Sequence, residues 1–221
     1  MRTLGLILPL SVLGACGGSN SFSFSGITVY EMFPFDGDRT WEYISTDVDI
    51  PYKLIGKTVG EPDVIDGKNV YTVEYTIECI SDDPSCGDGE VLRRVKWSST
   101  SRDGVHIHGF DSEGVVVDFD PPLQVATSSM ARDDVASTST AGATWSSTMM
   151  GIETCPVRFT EDWDQCGAFL IETDAAVGGY PVAGRYWAVA GHNLAAIELD
   201  GDTGRWELSD SDCEGDCDGR W

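Results

Sequence analysis

An all-β domain, either a curved antiparallel sheet or an open barrel of meander connectivity, is the fold class this sequence predicts, on three observations. Apolar and polar residues alternate almost everywhere from Trp41 onward, as a strand with one buried face requires. No stretch after Cys16 sustains the period of an amphipathic helix, so helices are not what buries the apolar residues. Short clusters of Gly, Asp, Asn and Ser interrupt the alternation at hairpin spacing.

The first element is an address rather than a fold. Residues 1–15 carry Arg2 and an apolar run over 4–13, then Gly14 and Ala15. This order of charge, short apolar stretch and small residues reads as an export signal, too short to stay in a bilayer as a spanning helix. Leu13-Gly14-Ala15-Cys16 resembles the bacterial lipobox, which makes 1–15 a lipoprotein signal peptide and Cys16 the lipidated first residue of the mature chain. Residues 16–27, with Gly17-Gly18-Ser19-Asn20-Ser21, then read as a flexible tether. Gly17 in place of aspartate resembles the default for sorting to the outer membrane, so the expected location is the bacterial cell envelope, with the membrane reached through the lipid. Each buried acyl methylene contributes about 0.8 kcal/mol and one chain anchors only marginally, so the several chains of such an anchor are needed for stable attachment.

The β domain is expected over 28–208. In 70–79, Tyr71, Val73, Tyr75, Ile77 and Cys79 share one face while Thr72, Glu74, Thr76 and Glu78 share the other. The turn Asp66-Gly67-Lys68-Asn69 joins this strand to an earlier one over 54–59. Strands over 91–97, 105–110 and 115–119 follow, separated by Ser98-Ser99-Thr100-Ser101 and by Asp111-Ser112-Glu113-Gly114. Pro121-Pro122 and the Ser, Thr, Ala and Asp residues that follow break the rhythm, and 123–143 is expected as a long loop or a short helix at the midpoint of the chain. Later strands are expected over 168–173, 184–190, 194–199 and 205–208, the last pair turning at Asp200-Gly201-Asp202-Thr203-Gly204. Residues 209–221 read as an acidic tail bearing a disulfide.

Met32-Phe33-Pro34-Phe35-Asp36-Gly37-Asp38-Arg39-Thr40-Trp41-Glu42-Tyr43 resembles the start of uncharacterised bacterial lipoproteins that share an aromatic-Pro-Leu, glycine, then Trp-x-Tyr pattern. Gly184-Arg185-Tyr186-Trp187, followed by the turn at Gly191, is similar to their second signature, a Gly-x-aromatic-aromatic strand. Phe35 stands where leucine is usual, and Asn193 where a second glycine is common. The resemblance implies an extracytoplasmic antiparallel β domain and carries no catalytic residue. The residues agree on physical grounds: Pro34 stiffens the approach, Gly37 permits a turn, and Trp41 with Tyr43 face one core.

Cys16 aside, the cysteines are Cys79, Cys86, Cys155, Cys166, Cys213 and Cys217, and an even set in an exported chain reads as disulfides. Their clustering in local couples favours Cys79–Cys86, Cys155–Cys166 and Cys213–Cys217. A zinc site is the rival reading, and the CxxC spacing it needs is absent.

Lys plus Arg total 14 against 37 Asp plus Glu, a net charge of −23, which argues against nucleic acid as a partner. His106 and His108 share a strand face, where Asp103 or Asp111 are the carboxylates near enough in sequence to complete a metal site; His192 lies in a distant turn. A solvated or hydrogen-bonded pair is the simpler reading. No Gly-x-Ser-x-Gly elbow occurs. Asp210, Asp212, Glu214, Asp216 and Asp218 place oxygen ligands at alternate positions, like the first half of an EF-hand loop that then stops at Trp221; weak calcium binding is the most specific chemistry this run offers, beside a plain solvated tail, and no other cofactor is expected. The expected function is a non-enzymatic, membrane-tethered β module that binds a hydrophobic ligand or an envelope protein. The alternative is a secreted hydrolase with a carboxylate pair that the sequence does not reveal.

Overall fold

The structure, a computed structural model, describes residues 27–47, 52–80, 89–112, 114–140, 143–157, 165–174, 183–201 and 204–214. The signal peptide, Cys16 and the tether up to residue 26 lie outside them, as do Cys86, Asp216, Cys217 and Asp218. In chain order the strands are β1 (Ile27–Thr28), β2 (Asp38–Ser45), β3 (Tyr52–Ile65), β4 (Lys68–Cys79), β5 (Glu90–Thr100), β6 (Gly104–Ser112), β7 (Val115–Ala126), β8 (Ser129–Met130), β9 (Val135–Thr140), β10 (Ala143–Glu153), β11 (Cys166–Thr173), β12 (Gly184–Val189), β13 (Asn193–Leu199) and β14 (Trp206–Glu214). Between β1 and β2 lies η1 (Val29–Met32), a single 3₁₀ turn. No helix among the described residues is long and apolar enough to cross a membrane.

Twelve strands form one antiparallel sheet. β2 to β7 pair in chain order, β9 to β14 do likewise, and β14 pairs with β2. The two ends of the chain's β region are therefore joined by a ladder, and the two edges of the sheet, β7 and β9, come from the middle of the chain. These edges run side by side without a ladder, held instead by the amide of Gln124 donating to Thr138 Oγ1 (2.9 Å) and Thr140 Oγ1 donating to the carbonyl of Asp120 (2.9 Å). The sheet is nearly closed into a barrel, which leaves little open edge.

The seam corrects the expectation for 123–143. Neither a helix nor a long loop forms there: β7 runs on to Ala126, and β8 and β9 follow. The prolines fit because Asp118 pairs with Gly109 and Leu123 with Ile107, leaving Pro121 and Pro122 in a bulge on an edge strand, where no ladder donor is required of them. Beyond it Leu123, Val125 and Ala136 are buried, and the Ser and Thr residues of β9 alternate around Ala136 as β-branched and small polar residues do on a half-buried strand. β14 likewise continues to Glu214, past the boundary expected at 208.

Antiparallel pairing sends the connections to two ends. One end holds the β3–β4, β5–β6 and β12–β13 turns and the connections from β7 to β9 and from β10 to β11; the other holds the rest. Across the first end lies the segment from β1 through η1. Val29 donates its amide to the carbonyl of Ser128 (3.0 Å), Ser99 Oγ donates to the carbonyl of Tyr30 (2.9 Å), and Gly191 donates its amide to the carbonyl of Glu31 (2.9 Å). The chain then turns inward. Val29, Met32, Phe33 and Phe35 are buried with Trp41 and Phe169, the partly buried Trp97 packs against them, and Gly167 leaves room for Met32, whose Sδ lies 3.0 Å from where a Cβ would stand. The segment caps one end of the barrel and fills its interior.

Cys155 and Cys166 form the expected disulfide, with Cα atoms 5.0 Å apart, at the end of β10 and the start of β11. Cys79 ends β4 and is disulfide-bonded; Cys213 lies in β14, opposite Arg39. Their expected partners, Cys86 and Cys217, are outside the described residues.

Candidate functional site

At the end opposite the N-terminal segment, inward-facing described residues come from both walls. On one wall the register sets Phe169, Tyr186, Ile197 and Trp206 side by side across β11 to β14. On the other it sets Leu54 beside Ile77, and Gly56 beside Tyr75 and Arg93. Gly56 makes the space for Tyr75: a Cβ there would lie 3.1 Å from Cε1 of the ring. Deeper residues such as Trp41, Tyr43 and Phe169 are buried, whereas Ile77, Leu92, Tyr186, Ile197 and Trp206 are only partly buried. An apolar mouth therefore lies above a closed core.

Arg93 is the unexpected member of this mouth. It is in phase with Val95 and Trp97 on β5, whose side chains join the core, and its guanidinium carbon lies 5.6 Å from the Tyr75 ring centroid, over the ring. Burial pushes the Tyr186 phenol well above its ordinary value, with Arg93 working against that push and Tyr75 with it. Burial also raises Tyr75, again opposed by Arg93. Arg93 thus acts electrostatically on both Tyr75 of β4 and Tyr186 of β12. Both phenols remain protonated at physiological pH and can donate hydrogen bonds. An arginine in phase with Val95 and Trp97 was a legible signal in the sequence, since a charge on the core side of a strand demands a reason.

The histidine pair lies on the outer face. The register shifts between Lys96 opposite Gly109 and Trp97 opposite Ile107, so His108 is an inserted residue whose bulge turns it to the same side as His106. Gly109 is required there, because a Cβ would stand 2.4 Å from the carbonyl oxygen of Val117. The rings are 6.5 Å apart and line a cleft of about 330 Å³ with Asp66, Lys68, Gln124 and the β7 prolines. His108 Nε2 shares a hydrogen bond with Ser98 Oγ at 2.8 Å, and both residues are buried. Asp103 is ion-paired with Lys68 at 3.2 Å, and Asp111 faces Arg94 at 3.9 Å. The carboxylates considered for a metal site are thus committed to cations, and no group of three or more His, Cys, Asp or Glu among the described residues could hold a metal ion. His192 lies in the β12–β13 turn with Nδ1 3.0 Å from Ser211 Oγ, remote from this pair in the sheet order.

Burial lowers His106 to about 4, helped by Lys68 and His108. A base with a depressed folded value binds fewer protons than its unfolded form between the two values, so stability falls as the pH drops from ~6.5 toward that lower value. Denaturant midpoints at pH 7 and pH 5 should therefore fall further for the wild type than for His106→Gln. The relief of carboxylate repulsion on acidification is common to both proteins, and equal falls would show that His106 titrates normally.

Of the acidic run, Asp210 and Asp212 lie on β14 opposite Glu42 and Thr40 of β2, and Glu214 ends the strand opposite Asp38. They do not form a loop. With Lys57, Asp210 and Asp212 flank an outer groove of about 530 Å³ to which Asp38 and Glu42 also contribute. Glu42 is paired with Lys53 at 3.3 Å. The cross-strand placement sets Asp210 beside Glu42 in the β2–β14 ribbon, while Asp216 and Asp218, the other residues considered for weak calcium binding, lie outside the described residues. The chain matches no family model, no curated protein and no solved structure, so its function rests on the residues of its own mouth and clefts.

Proposed function

We propose that this protein is a non-enzymatic binding module of the bacterial cell envelope, lipid-anchored at Cys16, that takes a small apolar ligand into the end of its barrel opposite the N-terminal segment. The observation that supports it is the row Tyr186, Ile197 and Trp206 facing inward yet only partly buried, while the N-terminal segment packs into the other end of the interior. A concave apolar surface with a few polar groups suits a small ligand. Titrating a neutral naphthyl fluorophore into the full chain carrying Cys16→Ser should give saturable binding that weakens about tenfold or more in Ile197→Glu, because the new carboxylate must be desolvated or excluded with the ligand. Binding that never saturates, or that ignores Ile197→Glu, removes the mouth as the site.

The anchor has its own test. Labelling with a palmitate analogue should mark the wild type and not Cys16→Ala; equal label in both would leave an exported protein without this lipid.

A further inference from the structure

We propose that the outer cleft beside the seam is a second binding site, one that takes a neutral polyhydroxyl ligand, a mono- or disaccharide. It is separate from the mouth and does not depend on the function given to the mouth.

The sheet assembles this cleft from side chains far apart in sequence. Ser98 of β5 pairs with His106 of β6, and His106 with Gln124 of β7, so the three stand side by side on one face, neighbouring Cβ atoms about 4.5–5.5 Å apart. Thr138 of β9 continues the row over the seam, its hydroxyl oxygen accepting the Gln124 amide at 2.9 Å. The bulge at His108 adds a second imidazole, fixed against Ser98 at 2.8 Å, and the β3–β4 turn borders the cleft with Asp66 and Lys68. Pro121 and Pro122, set out of the ladder by their own bulge, supply an apolar wall. A volume of about 330 Å³ is at the small end for a ligand site.

The polar groups suit hydroxyls better than an ion. Lys68 is held by Asp103 at 3.2 Å, and its ammonium opposes a cation; the Asp66 carboxylate opposes an anion. Burial, then Lys68, hold His106 and His108 below the ordinary imidazole value, so at neutral pH each ring carries one N–H and one lone pair. The Asp66 carboxylate and the Gln124 side-chain amide make no hydrogen bond or ion pair among the described residues, and His106 Nδ1 is enclosed without a partner. Donors and acceptors are thus interleaved beside the faces of pyrrolidine and imidazole rings. A sugar ring is the complement, because each of its hydroxyls both donates and accepts while its C–H face is apolar.

The test titrates the methyl glycosides of glucose, galactose, mannose and N-acetylglucosamine into the full chain carrying Cys16→Ser and follows imidazole and amide resonances by NMR. Cyclohexanol and cyclohexylammonium serve as matched rings. At least one glycoside should give saturable shifts at His106, His108 and Gln124 in the millimolar range, and neither matched ring should. Asp66→Asn should weaken that binding about tenfold, as loss of a hydrogen bond to a charged group does, and Gln124→Leu several-fold. Asp66 has φ 51, a conformation asparagine tolerates, and Gln124 lies on the outer face, so both variants should fold. The glycoside should leave the neutral fluorophore in the mouth undisturbed. No saturation with any of the four glycosides, or equal shifts from cyclohexanol, overturns the polyhydroxyl ligand. Tighter binding of cyclohexylammonium makes the cleft a cation site and overturns it as well. Glycoside binding that ignores both substitutions, or that displaces the fluorophore, overturns the assignment to this cleft. The mouth stands or falls separately, on Ile197→Glu.

Discussion

Gly104→Ala should lower the stability of the fold by about 3–5 kcal/mol. Gly104 opens β6 with φ +88, and a Cβ on it would stand 2.1 Å from the carbonyl oxygen of Ala126 and 2.6 Å from the carbonyl carbon of Thr127. Two costs combine. A side chain in a left-handed conformation costs about 1–3 kcal/mol, and overpacking costs about 1–3 kcal/mol more. The atoms met are backbone, so no rotamer change relieves them; the end of β7 must move away from β6, where Val105 pairs with Ala126. That movement would reach the cap, because the next carbonyl but one, on Ser128, accepts the amide of Val29. Gly114 supplies the contrast: φ is +80 and nothing lies within 4 Å of its Cβ position, so Gly114→Ala should show the conformational cost alone. Denaturant midpoints of the two variants should therefore differ widely at unchanged slope. Similar losses in both would mean that β7 does not press on β6 as closely as the structure has it.

Much of this fold was legible wherever one face of a strand is buried and the other is not. β4 is the clearest case: Val73 and Tyr75 are buried in the core while Glu74 and Glu78 reach the surface to pair with Arg94 and Lys53, so alternation alone fixes both the element and its facing. Trp41 and Tyr43 were assigned to one core face for the same reason, and both are buried. Legibility fails at the seam and near it. β7 was expected to stop at 119 because Pro121 and Pro122 read as a terminator, and only the edge position of the strand makes them tolerable. β9 and β10 are built from Ser, Thr, Ala and Met, whose phase carries little contrast in hydrophobicity, and Ser147 of β10 is buried despite its hydroxyl. The cap was hidden for a different reason: a short turn that buries Val29, Met32, Phe33 and Phe35 repeats neither a helical nor a strand period. The site followed the same logic. Arg93 could be placed inward by counting from Val95, but that its charge acts on Tyr186 depends on the closure of the barrel, which sets β5 and β12 across one interior and leaves no trace in local sequence.

Phe35→Ala should cost about 3–5 kcal/mol, the range for emptying a buried aromatic position. Phe35 is 2 % exposed. Its ring stacks on Trp97 of β5 at 5.3 Å between centroids and meets Trp41 of β2 edge-on at 6.3 Å, so it ties two strands that are not neighbours in the sheet. Phe33 does the same toward β11, meeting Phe169 at 6.1 Å. A barrel of twelve strands is wide enough that wall side chains alone do not fill it, and here the missing volume at the capped end comes from the chain's own N-terminal segment. Truncating Phe35 therefore opens a cavity whose walls are strands already fixed by their ladders, and they can collapse into it only slightly. A double-mutant cycle separates this from a surface contact: Phe35→Ala and Trp97→Ala should be non-additive by about 0.5–1.5 kcal/mol. Phe35→Ala and Ile197→Ala, at opposite ends of the interior, should add to within about 0.5 kcal/mol. Binding of the fluorophore in the mouth should persist in Phe35→Ala under conditions where the variant remains folded. A loss below about 1 kcal/mol, within the range of ordinary surface substitutions, would mean that the segment rests on the barrel rather than in it, and the interior would then not be closed at that end.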